Sequence, residues 1–206
     1  MYMYRKTPFA ENEYYHIYSR GVEKRKIFMS NKDYNRFVAL NLGNIFKEKR
    51  EKTLVSILGY CLMPNHFHLI LYEHTENGIS KFMGKLLTAY SMYFNTKYGR
   101  SGSLLTHPFR SEHIDNESQY MYIFSYLHLN PISIIEKNWK ENGVRNKKEA
   151  EEFLEKYQFS SYKDFLKNNR LEASIIDFSL VPNYIKNMEL DLKTQEKTFC
   201  ENSVTE

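Results

Sequence analysis

Apolar residues along this chain form short runs that alternate with stretches of helical spacing. The strand-like runs cover residues 14–19, 53–63, 66–72 and 103–114. Apolar runs of this length, bounded by turn residues, are typical of strands. Pro108 limits the last run to a sheet edge, and the short Pro64-Asn65 link predicts an antiparallel hairpin between the two middle runs.

Three further segments repeat apolar residues at the spacing of a helix. The first carries an apolar stripe of Tyr34, Phe37, Val38, Leu42 and Ile45. Ser30, with Asp33 three residues later, is a typical start signal for this helix. The other two helical segments cover residues 80–98 and 117–130. Pro131 stops the last of them.

The order of these elements is β-α-β-β-α-β followed by a helix. It predicts an α+β fold of ferredoxin-like type, in which helices pack on one face of an antiparallel sheet. The other face is left for a ligand or for the added helix. We expect a domain over residues 8–131 and a C-terminal helical extension packed on it over 132–185. We expect a flexible tail over 186–206, because this segment is charged and has few apolar anchors.

Composition narrows the class of protein. The chain has 206 residues, 42% of them hydrophobic, which suits a folded domain with an appendage. No apolar run reaches the ~18 residues of a membrane span, and the charged N-terminus lacks a signal-peptide pattern. The two cysteines are too few for a disulfide framework. We therefore expect a cytoplasmic protein with no membrane partner.

Basic charge is concentrated in the front part of the chain. Residues 1–131 carry 17 Lys and Arg against 11 Asp and Glu, whereas the remainder carries 12 against 14. The chain also contains 17 Tyr and 14 Phe. Basic groups interleaved with aromatic rings suit phosphates and unstacked bases, although we expect most of these rings to fill the core.

His66 and His68 lie at the start of the third predicted strand. Alternate residues of a strand point to the same face, so both imidazoles leave one side of the sheet and Phe67 leaves the other. Two neutral imidazoles at this separation can bind one divalent metal ion. Histidines satisfied by hydrogen bonds at a strand end are the competing interpretation, and the pair alone does not decide between the two.

The third predicted helix offers groups that can complete such a site. Tyr126 and Asn130 are four residues apart and share one helix face, beside the apolar stripe that docks on the sheet. The carbonyl oxygen of Asn130 suits Mg²⁺ or Mn²⁺, and the hydroxyl of Tyr126 is a candidate nucleophile. Tyr122, one turn earlier, is a rival for that role.

Several segments occur in the order and spacing of one protein family. They are Tyr15-His16-Ile17-Tyr18-Ser19-Arg20-Gly21, Met63-Pro64-Asn65-His66-Phe67-His68, Pro108-Phe109-Arg110-Ser111-Glu112, Tyr126-Leu127-His128-Leu129-Asn130-Pro131 and Phe159-Ser160-Ser161-Tyr162. With these segments the chain resembles REP-associated tyrosine transposases. Those proteins are relatives of the single-tyrosine insertion-sequence transposases among the HUH endonucleases. The resemblance covers residues 8–166 and rests on the ordered set, since His-x-His alone is a weak signal.

The resemblance implies a metal-dependent enzyme that cuts and joins single-stranded DNA at palindromic hairpins through a 5′-phosphotyrosine intermediate. It implies that His66 and His68 bind Mg²⁺ or Mn²⁺, with Asn130 as the third ligand and Tyr126 as the nucleophile. Single-tyrosine relatives often have Gln in place of this Asn. Relatives include monomers and homodimers that exchange the tyrosine, so both states stay open for this chain.

Seven basic residues are candidates for contact with the DNA backbone. They are Arg20, Lys24, Arg25, Lys26, Lys81, Lys85 and Arg110. Basic side chains hold phosphates without reading sequence, and a solvated cluster explains the loop residues 24–26 equally well. Four other histidines lack a partner at ligand spacing, and we interpret them as structural or surface groups. These are His16, His107, His113 and His128.

Three other interpretations stay open at this point. Gly59, His66, His68 and Glu73 loosely resemble the metal-binding pattern of cupins, which are all-β proteins. Cys61 next to the histidine pair suggests a structural zinc site, although a fourth ligand is missing. The third interpretation is a DNA-hairpin-binding protein without a cleavage role.

Overall fold

A four-stranded antiparallel sheet forms the centre of the protein. The computed structural model describes residues 8–41, 53–166, 170–188 and 192–202. The strands are β1 (Tyr14–Arg20), β2 (Val55–Met63), β3 (His66–Glu73) and β4 (Arg110–Ile114). Their order across the sheet is β2-β3-β1-β4, and every neighbouring pair is antiparallel. The predicted α+β class and ferredoxin-like strand order are confirmed, with β4 at an edge.

Eight α-helices surround the sheet in the described part of the chain. The first three are α1 (Asn31–Asn41), α2 (Gly78–Lys97) and α3 (Glu117–Leu129). The others are α4 (Trp139–Asn142), α5 (Lys147–Lys156), α6 (Tyr162–Phe165), α7 (Asn183–Lys186) and α8 (Leu192–Asn202). Leu42 and Ile45 of the predicted stripe lie outside the described residues. No helix in the described ranges is long and apolar enough to cross a membrane.

The alternation of side chains along β3 separates two layers. Phe67 lies on one face, where its ring is 5.1 Å from Phe37 of α1, and Tyr90 of α2 packs on the same Phe37 ring at 5.0 Å. His68 lies on the other face, under Tyr126 of α3. The helices α1 and α2 therefore bury one side of the sheet, while α3 covers the histidine side.

A buried carboxylate holds the start of α1. Asp33 Oδ2 accepts hydrogen bonds from the backbone N–H groups of Met29 and Ser30, each at 2.8 Å. Tyr98 donates to the same oxygen at 2.7 Å, and Lys97 forms an ion pair with the other oxygen. Burial alone would raise the pKa of Asp33, but these donors outweigh it and lower the pKa to about 2. The predicted start signal therefore also ties α1 to the end of α2.

Local signals at both ends set the limits of α3. The Asn116 side chain accepts a hydrogen bond from the Gln119 N–H at 2.8 Å, which satisfies a free donor of the first turn. At the other end, Asn130 and Pro131 open a 3-10 turn, because proline cannot continue the α-helical hydrogen bonds. Asn130 keeps helical backbone angles, and its N–H donates to the Tyr126 carbonyl. The spacing predicted for Tyr126 and Asn130 is thus preserved.

The C-terminal extension covers the outer edge of β2. The Leu62 N–H donates to the Phe159 carbonyl at 2.8 Å, and the Ser161 N–H donates to the Tyr60 carbonyl at 2.9 Å. Backbone groups at a bare sheet edge would be open to pairing with another chain. This segment therefore completes the sheet. The domain limits 8–131 and 132–185 themselves stay a prediction.

The segment over residues 186–206, which the sequence predicts to be a flexible tail, contains a helix in its described part. Leu192–Asn202 forms α8, and its side chains Leu192 and Phe199 are buried. Both belong to a second apolar cluster that also contains Trp139. Seven residues separate the two anchors, which places them on one helix face. Two anchors were too few to predict this helix from the sequence.

Replacement of Asp33 tests how much its carboxylate stabilises the fold. Because the pKa is lowered from 3.8 to about 2 in the folded protein, the stabilisation is complete above the unfolded pKa and is lost as the pH falls toward the folded value. We expect Asp33→Asn to lower the free energy of unfolding by about 2 kcal/mol at pH 7 and by roughly half as much at pH 3. Urea unfolding at both pH values measures the difference, and an equal loss at both would contradict the electrostatic origin.

Candidate active site

His66 lies at the first position of β3, directly after the hairpin turn. Its Nδ1 is 2.7 Å from the side-chain oxygen of Asn65, an acceptor, so this nitrogen carries the proton. The Asn130 amide interacts with the same ring. Burial, together with the charges of Lys140 and Arg20, lowers the pKa of His66 to about 4. The ring is therefore neutral at pH 7, with a lone pair on Nε2.

His68 is deeply buried, with 4% of its surface exposed. Its Nδ1 lies 2.9 Å from Nε2 of His16. Its own Nε2 is buried and has no hydrogen-bond partner among the described residues. Burial lowers the pKa of His68 well below its usual value, and the neighbouring rings of His16 and His66 add to the effect. A buried ring nitrogen without a partner is costly, so a divalent cation fits this position.

His16 belongs to the site, although the sequence suggested a structural or surface role. It is buried in β1, and its Nδ1 is 3.2 Å from a carboxylate oxygen of Glu112 in β4. The hydrogen bond from His16 is the main cause that lowers the pKa of Glu112. Alternation along β1 places His16 and Tyr18 on one face. Only the pairing of β1 with β3 brings that face to His68, so a sequence pattern without strand register misses it.

The helix α3 holds Tyr126 over the histidine face of the sheet. The Tyr126 ring is 5.3 Å from the His68 ring and nearly perpendicular to it. The rival Tyr122 stacks instead on Phe199 of α8 at 5.2 Å. Burial raises the pKa of Tyr126, and an interaction with Asn130 opposes this shift. Of the two tyrosines, Tyr126 is the one whose ring packs on a histidine of the pair.

Lys140 of α4 reaches the hydroxyl of Tyr126 from the C-terminal extension. Its Nζ donates to the phenolic oxygen at 3.1 Å and lies 4.3 Å from the ring centroid. Desolvation lowers the pKa of Lys140. The buried Trp139 anchors the preceding position in the second apolar cluster. No sequence motif indicated Lys140, because it lies outside the ordered motifs, in the polar region that follows Pro131.

A cleft of about 1090 Å³ opens beside the two histidines and Tyr126. Arg20, Lys24 and Arg110, three of the seven predicted DNA-binding residues, line this cleft. The aromatic ring of Phe109 lines it as well. Cationic side chains and a ring around one groove match the requirements of a single-stranded nucleic acid.

The other four predicted DNA-binding residues lie away from the cleft lining. Arg25 is in the same loop as Lys24, but its guanidinium pairs with Glu23 at 2.9 Å. Lys26 is exposed in that loop. Lys81 and Lys85 are exposed on α2, which packs on the opposite side of the sheet from the histidines.

The donor set around His68 suits a divalent cation. Within the described ranges, no group of three or more His, Cys, Asp and Glu side chains is arranged to hold a metal. His66 and His68 together with the Asn130 amide would form a mixed set of nitrogen and oxygen donors. Asn130 is buried, and its Nδ2 lacks a hydrogen-bond partner among the described residues. Two imidazole nitrogens and the amide oxygen of Asn130 fit the donor chemistry of a divalent metal.

Two of the alternative interpretations do not fit the structure. A cupin is an all-β jelly roll, and an α+β fold excludes it whatever the spacing of Gly59 and Glu73. Cys61 lies opposite His68 across β2 and β3 and is fully buried. Burial raises the pKa of its thiol, and no group of three or more His, Cys, Asp and Glu side chains in the described ranges is arranged to hold a zinc ion with it.

Fold and site together define an α+β protein with paired histidines and a tyrosine on one face of an antiparallel sheet. A family model described as "Transposase IS200 like" matches residues 10–129, which is more than half of the chain. The chain therefore belongs to the IS200-like transposase family, and the resemblance seen in the sequence is confirmed.

A solved structure of similar fold is that of a REP-associated tyrosine transposase bound to a REP hairpin. The sequence identity is 14% and the TM-score 0.55, and the match covers 81% of this chain and 87% of that chain. At this identity the match establishes a shared fold alone. No curated protein matches the chain significantly.

The reactivity of Cys61 tests the zinc interpretation. In a Cys200→Ser variant, which leaves Cys61 as the only cysteine, we expect the native thiol to react with Ellman's reagent at least about 100-fold more slowly than the denatured protein. Burial and the raised pKa together remove the reactive thiolate. Zn²⁺ should leave the slow native rate unchanged. Fast native reaction that Zn²⁺ suppresses would support a thiolate zinc site instead.

Proposed function

We propose that this protein is a metal-dependent single-stranded DNA endonuclease and strand transferase that acts at palindromic hairpins. One observation carries the proposal. The Tyr126 ring lies 5.3 Å from the ring of His68, whose buried Nε2 lacks a partner among the described residues. A hydroxyl nucleophile and a cation-binding nitrogen next to each other are what phosphoryl transfer to tyrosine requires.

Three further observations support a DNA hairpin as the substrate. The chain is a member of the IS200-like transposase family, and the protein of similar fold is described as bound to a REP hairpin. The basic residues Arg20, Lys24 and Arg110 line the cleft beside Tyr126. Their charges would hold backbone phosphates irrespective of base sequence. We assign them to the single strand that enters the site.

The remaining basic candidates receive different roles in this proposal. Arg25 and Lys26 lie in the loop of Lys24, and we assign them to phosphates at the mouth of the cleft. Lys81 and Lys85 lie on α2, on the other side of the sheet. They would meet only DNA that extends beyond the cleft.

We propose His66, His68 and Asn130 as ligands of Mg²⁺ or Mn²⁺. When bound, the ion would polarise the scissile phosphate and stabilise the negative charge on its oxygens. The protein keeps both imidazoles neutral by burial. It also orients them through Nδ1, which contacts Asn65 in one ring and His16 in the other. The two Nε2 atoms are thereby left for the cation.

Tyr126 supplies the attacking oxygen. It forms a bond to phosphorus while the bond from phosphorus to the 3′ oxygen breaks. The phenol loses its proton and the leaving oxygen gains one, so the products are a 5′-phosphotyrosine link and a free 3′-hydroxyl. That hydroxyl can reverse the step, or another strand can take its place, without ATP. Lys140 donates to the Tyr126 oxygen, and its ammonium stabilises the attacking phenolate.

The proposed reaction needs residues of one subunit only. Tyr126 packs on His68 of its own chain, which supports cleavage in cis by a monomer. A homodimer that exchanges the tyrosine would separate these two side chains. A cytoplasmic location, in keeping with a DNA substrate, completes the proposal.

Substitution of the two candidate nucleophiles tests the chemistry. The substrate is a labelled palindromic hairpin taken from the DNA that flanks the gene, with Mn²⁺ present. We expect wild-type protein to form a covalent adduct that survives a denaturing gel. Tyr126→Phe should lose adduct and cleavage by about 1000-fold or more, because no other hydroxyl replaces the nucleophile. Tyr122→Phe is the matched control and should stay within about threefold of wild type.

Two other outcomes would point to a different function or to a different nucleophile. Hairpin binding without cleavage by both wild type and Tyr126→Phe would favour the interpretation of a hairpin-binding protein. Loss of the adduct in Tyr122→Phe alone would transfer the nucleophile role to Tyr122.

Removal of the Lys140 ammonium should slow the chemical step. Lys140→Met keeps an apolar contact with the Tyr126 ring but loses the hydrogen bond to its oxygen. We expect single-turnover adduct formation to slow by about 10- to 100-fold, with hairpin affinity nearly unchanged. Lys137→Met removes an exposed charge from the same region and is the matched control. Equal slowing in both variants would point to general charge attraction of DNA.

A further inference from the structure

Two hydrogen bonds in series connect Glu112, at the cleft, through His16 to His68, whose Nε2 is buried. A Glu112 oxygen lies 3.2 Å from Nδ1 of His16, and Nε2 of His16 lies 2.9 Å from Nδ1 of His68. The residues belong to β4, β1 and β3, which are adjacent strands of the sheet. His16 and His68 are each 4% exposed, so water does not readily replace either partner.

The hydrogen-bonding capacity of these groups determines where the protons lie. An ionised carboxylate can only accept, so the proton between Glu112 and His16 is on Nδ1 of His16. With its proton on Nδ1, the His16 ring accepts at Nε2, and the proton of the second hydrogen bond is on Nδ1 of His68. His68 is left with a lone pair on Nε2. That atom is the one without a partner among the described residues.

We propose that Glu112 and His16 are positioning residues that hold His68 in the Nδ1–H tautomer and direct the Nε2 lone pair at the metal. This inference rests on the proposed metal site and adds two residues that do not touch the metal. A carboxylate that orients a ligand histidine is a common arrangement around protein-bound metals. In this chain a second histidine is inserted between the carboxylate and the ligand.

Tyr18 restrains the same three side chains. Its hydroxyl donates to the other oxygen of Glu112 at 2.9 Å. Its ring stacks on His16 at 4.9 Å and on His68 at 5.6 Å, and the two imidazoles are within 16° of parallel. Rotation of either imidazole would therefore break a hydrogen bond and a stacking contact. The ligand nitrogen is oriented before a metal binds, which is what a preorganised site requires.

The sheet also contains a matched pair for comparison. Nε2 of His113 lies 3.0 Å from a carboxylate oxygen of Glu13. His113 follows Glu112 in β4, so its side chain leaves the opposite face of the strand. A substitution at His113 thus removes a histidine–carboxylate pair from the same sheet while the contacts of His68 stay intact.

NMR of the metal-free chain with ¹⁵N-labelled histidine reads the tautomer directly. Two-bond ¹H–¹⁵N correlations distinguish a ring protonated at Nδ1 from one protonated at Nε2. We expect the Nδ1–H tautomer of His68 in the wild type and in His113→Phe, and a mixture of tautomers in His16→Phe. A wild-type His68 that carries its proton on Nε2 would overturn the proposal.

The consequence for metal affinity is measured by titrating the full chain with Mn²⁺ in the absence of DNA. The EPR signal of the free ion reports how much Mn²⁺ is bound. We expect the Kd to rise about 10- to 100-fold in His16→Phe, which leaves the His68 N–H without an acceptor. His16→Gln and Glu112→Gln should show smaller rises, because each retains an oxygen that accepts the next proton. His113→Phe should bind as the wild type does. Thermal unfolding checks that each variant is folded.

The variant His66→Ala distinguishes a failure of the positioning role from a failure of the metal site itself. A graded loss of affinity, larger for His16→Phe than for His16→Gln, with unchanged hairpin binding supports the positioning role. If His66→Ala loses Mn²⁺ while both His16 variants bind like the wild type, Glu112 and His16 have no such role and the metal site stands. If the wild type binds no Mn²⁺, the metal site is wrong and the positioning role falls with it.

Discussion

The Nε2 of the buried His68, which has no hydrogen-bond partner in the described part of the chain, is the constraint on which the rest of the site depends. A buried polar atom without a partner costs about 1–3 kcal/mol, and burial also lowers the pKa of His68. A divalent cation would relieve the first cost without requiring a proton on this nitrogen. The roles proposed for Tyr126 and Asn130, as nucleophile and metal ligand, both depend on a cation bound at this nitrogen.

The sheet and α3 act as rigid supports for that arrangement. His66 and His68, the proposed ligands, are on an interior strand, whose neighbours β1 and β2 hold it from both sides. Tyr126, the proposed nucleophile, is on a helix that Asn116 caps at one end and that Pro131 terminates at the other. Groups carried by packed elements are held more accurately than groups on loops. The cleft beside them is bounded in part by the segment that precedes β4.

The C-terminal extension contributes to the site as well as to the fold. Its Phe159-Ser160-Ser161-Tyr162 segment completes the β2 edge through backbone hydrogen bonds. Its Lys140 meets the Tyr126 hydroxyl, and Phe199 of α8 stacks on Tyr122. The family match ends at residue 129, so these contributions come from outside the matched region. Lys140 thereby places a positive charge beside the Tyr126 hydroxyl.

The sequence by itself determined the strand order, the shared face of His66 and His68, the four-residue spacing of Tyr126 and Asn130, and the family. The shared face and the spacing depend on periodicity, which a few neighbouring residues encode, whereas the strand order and the family follow from the order of elements and motifs along the chain. Only the tertiary structure decided that His16 and Glu112 join the site, although 96 residues separate them. It also decided that Lys140 reaches Tyr126 and that α8 docks. Such contacts follow from strand register and from the cooperative packing of distant segments. No local sequence pattern predicts either of them.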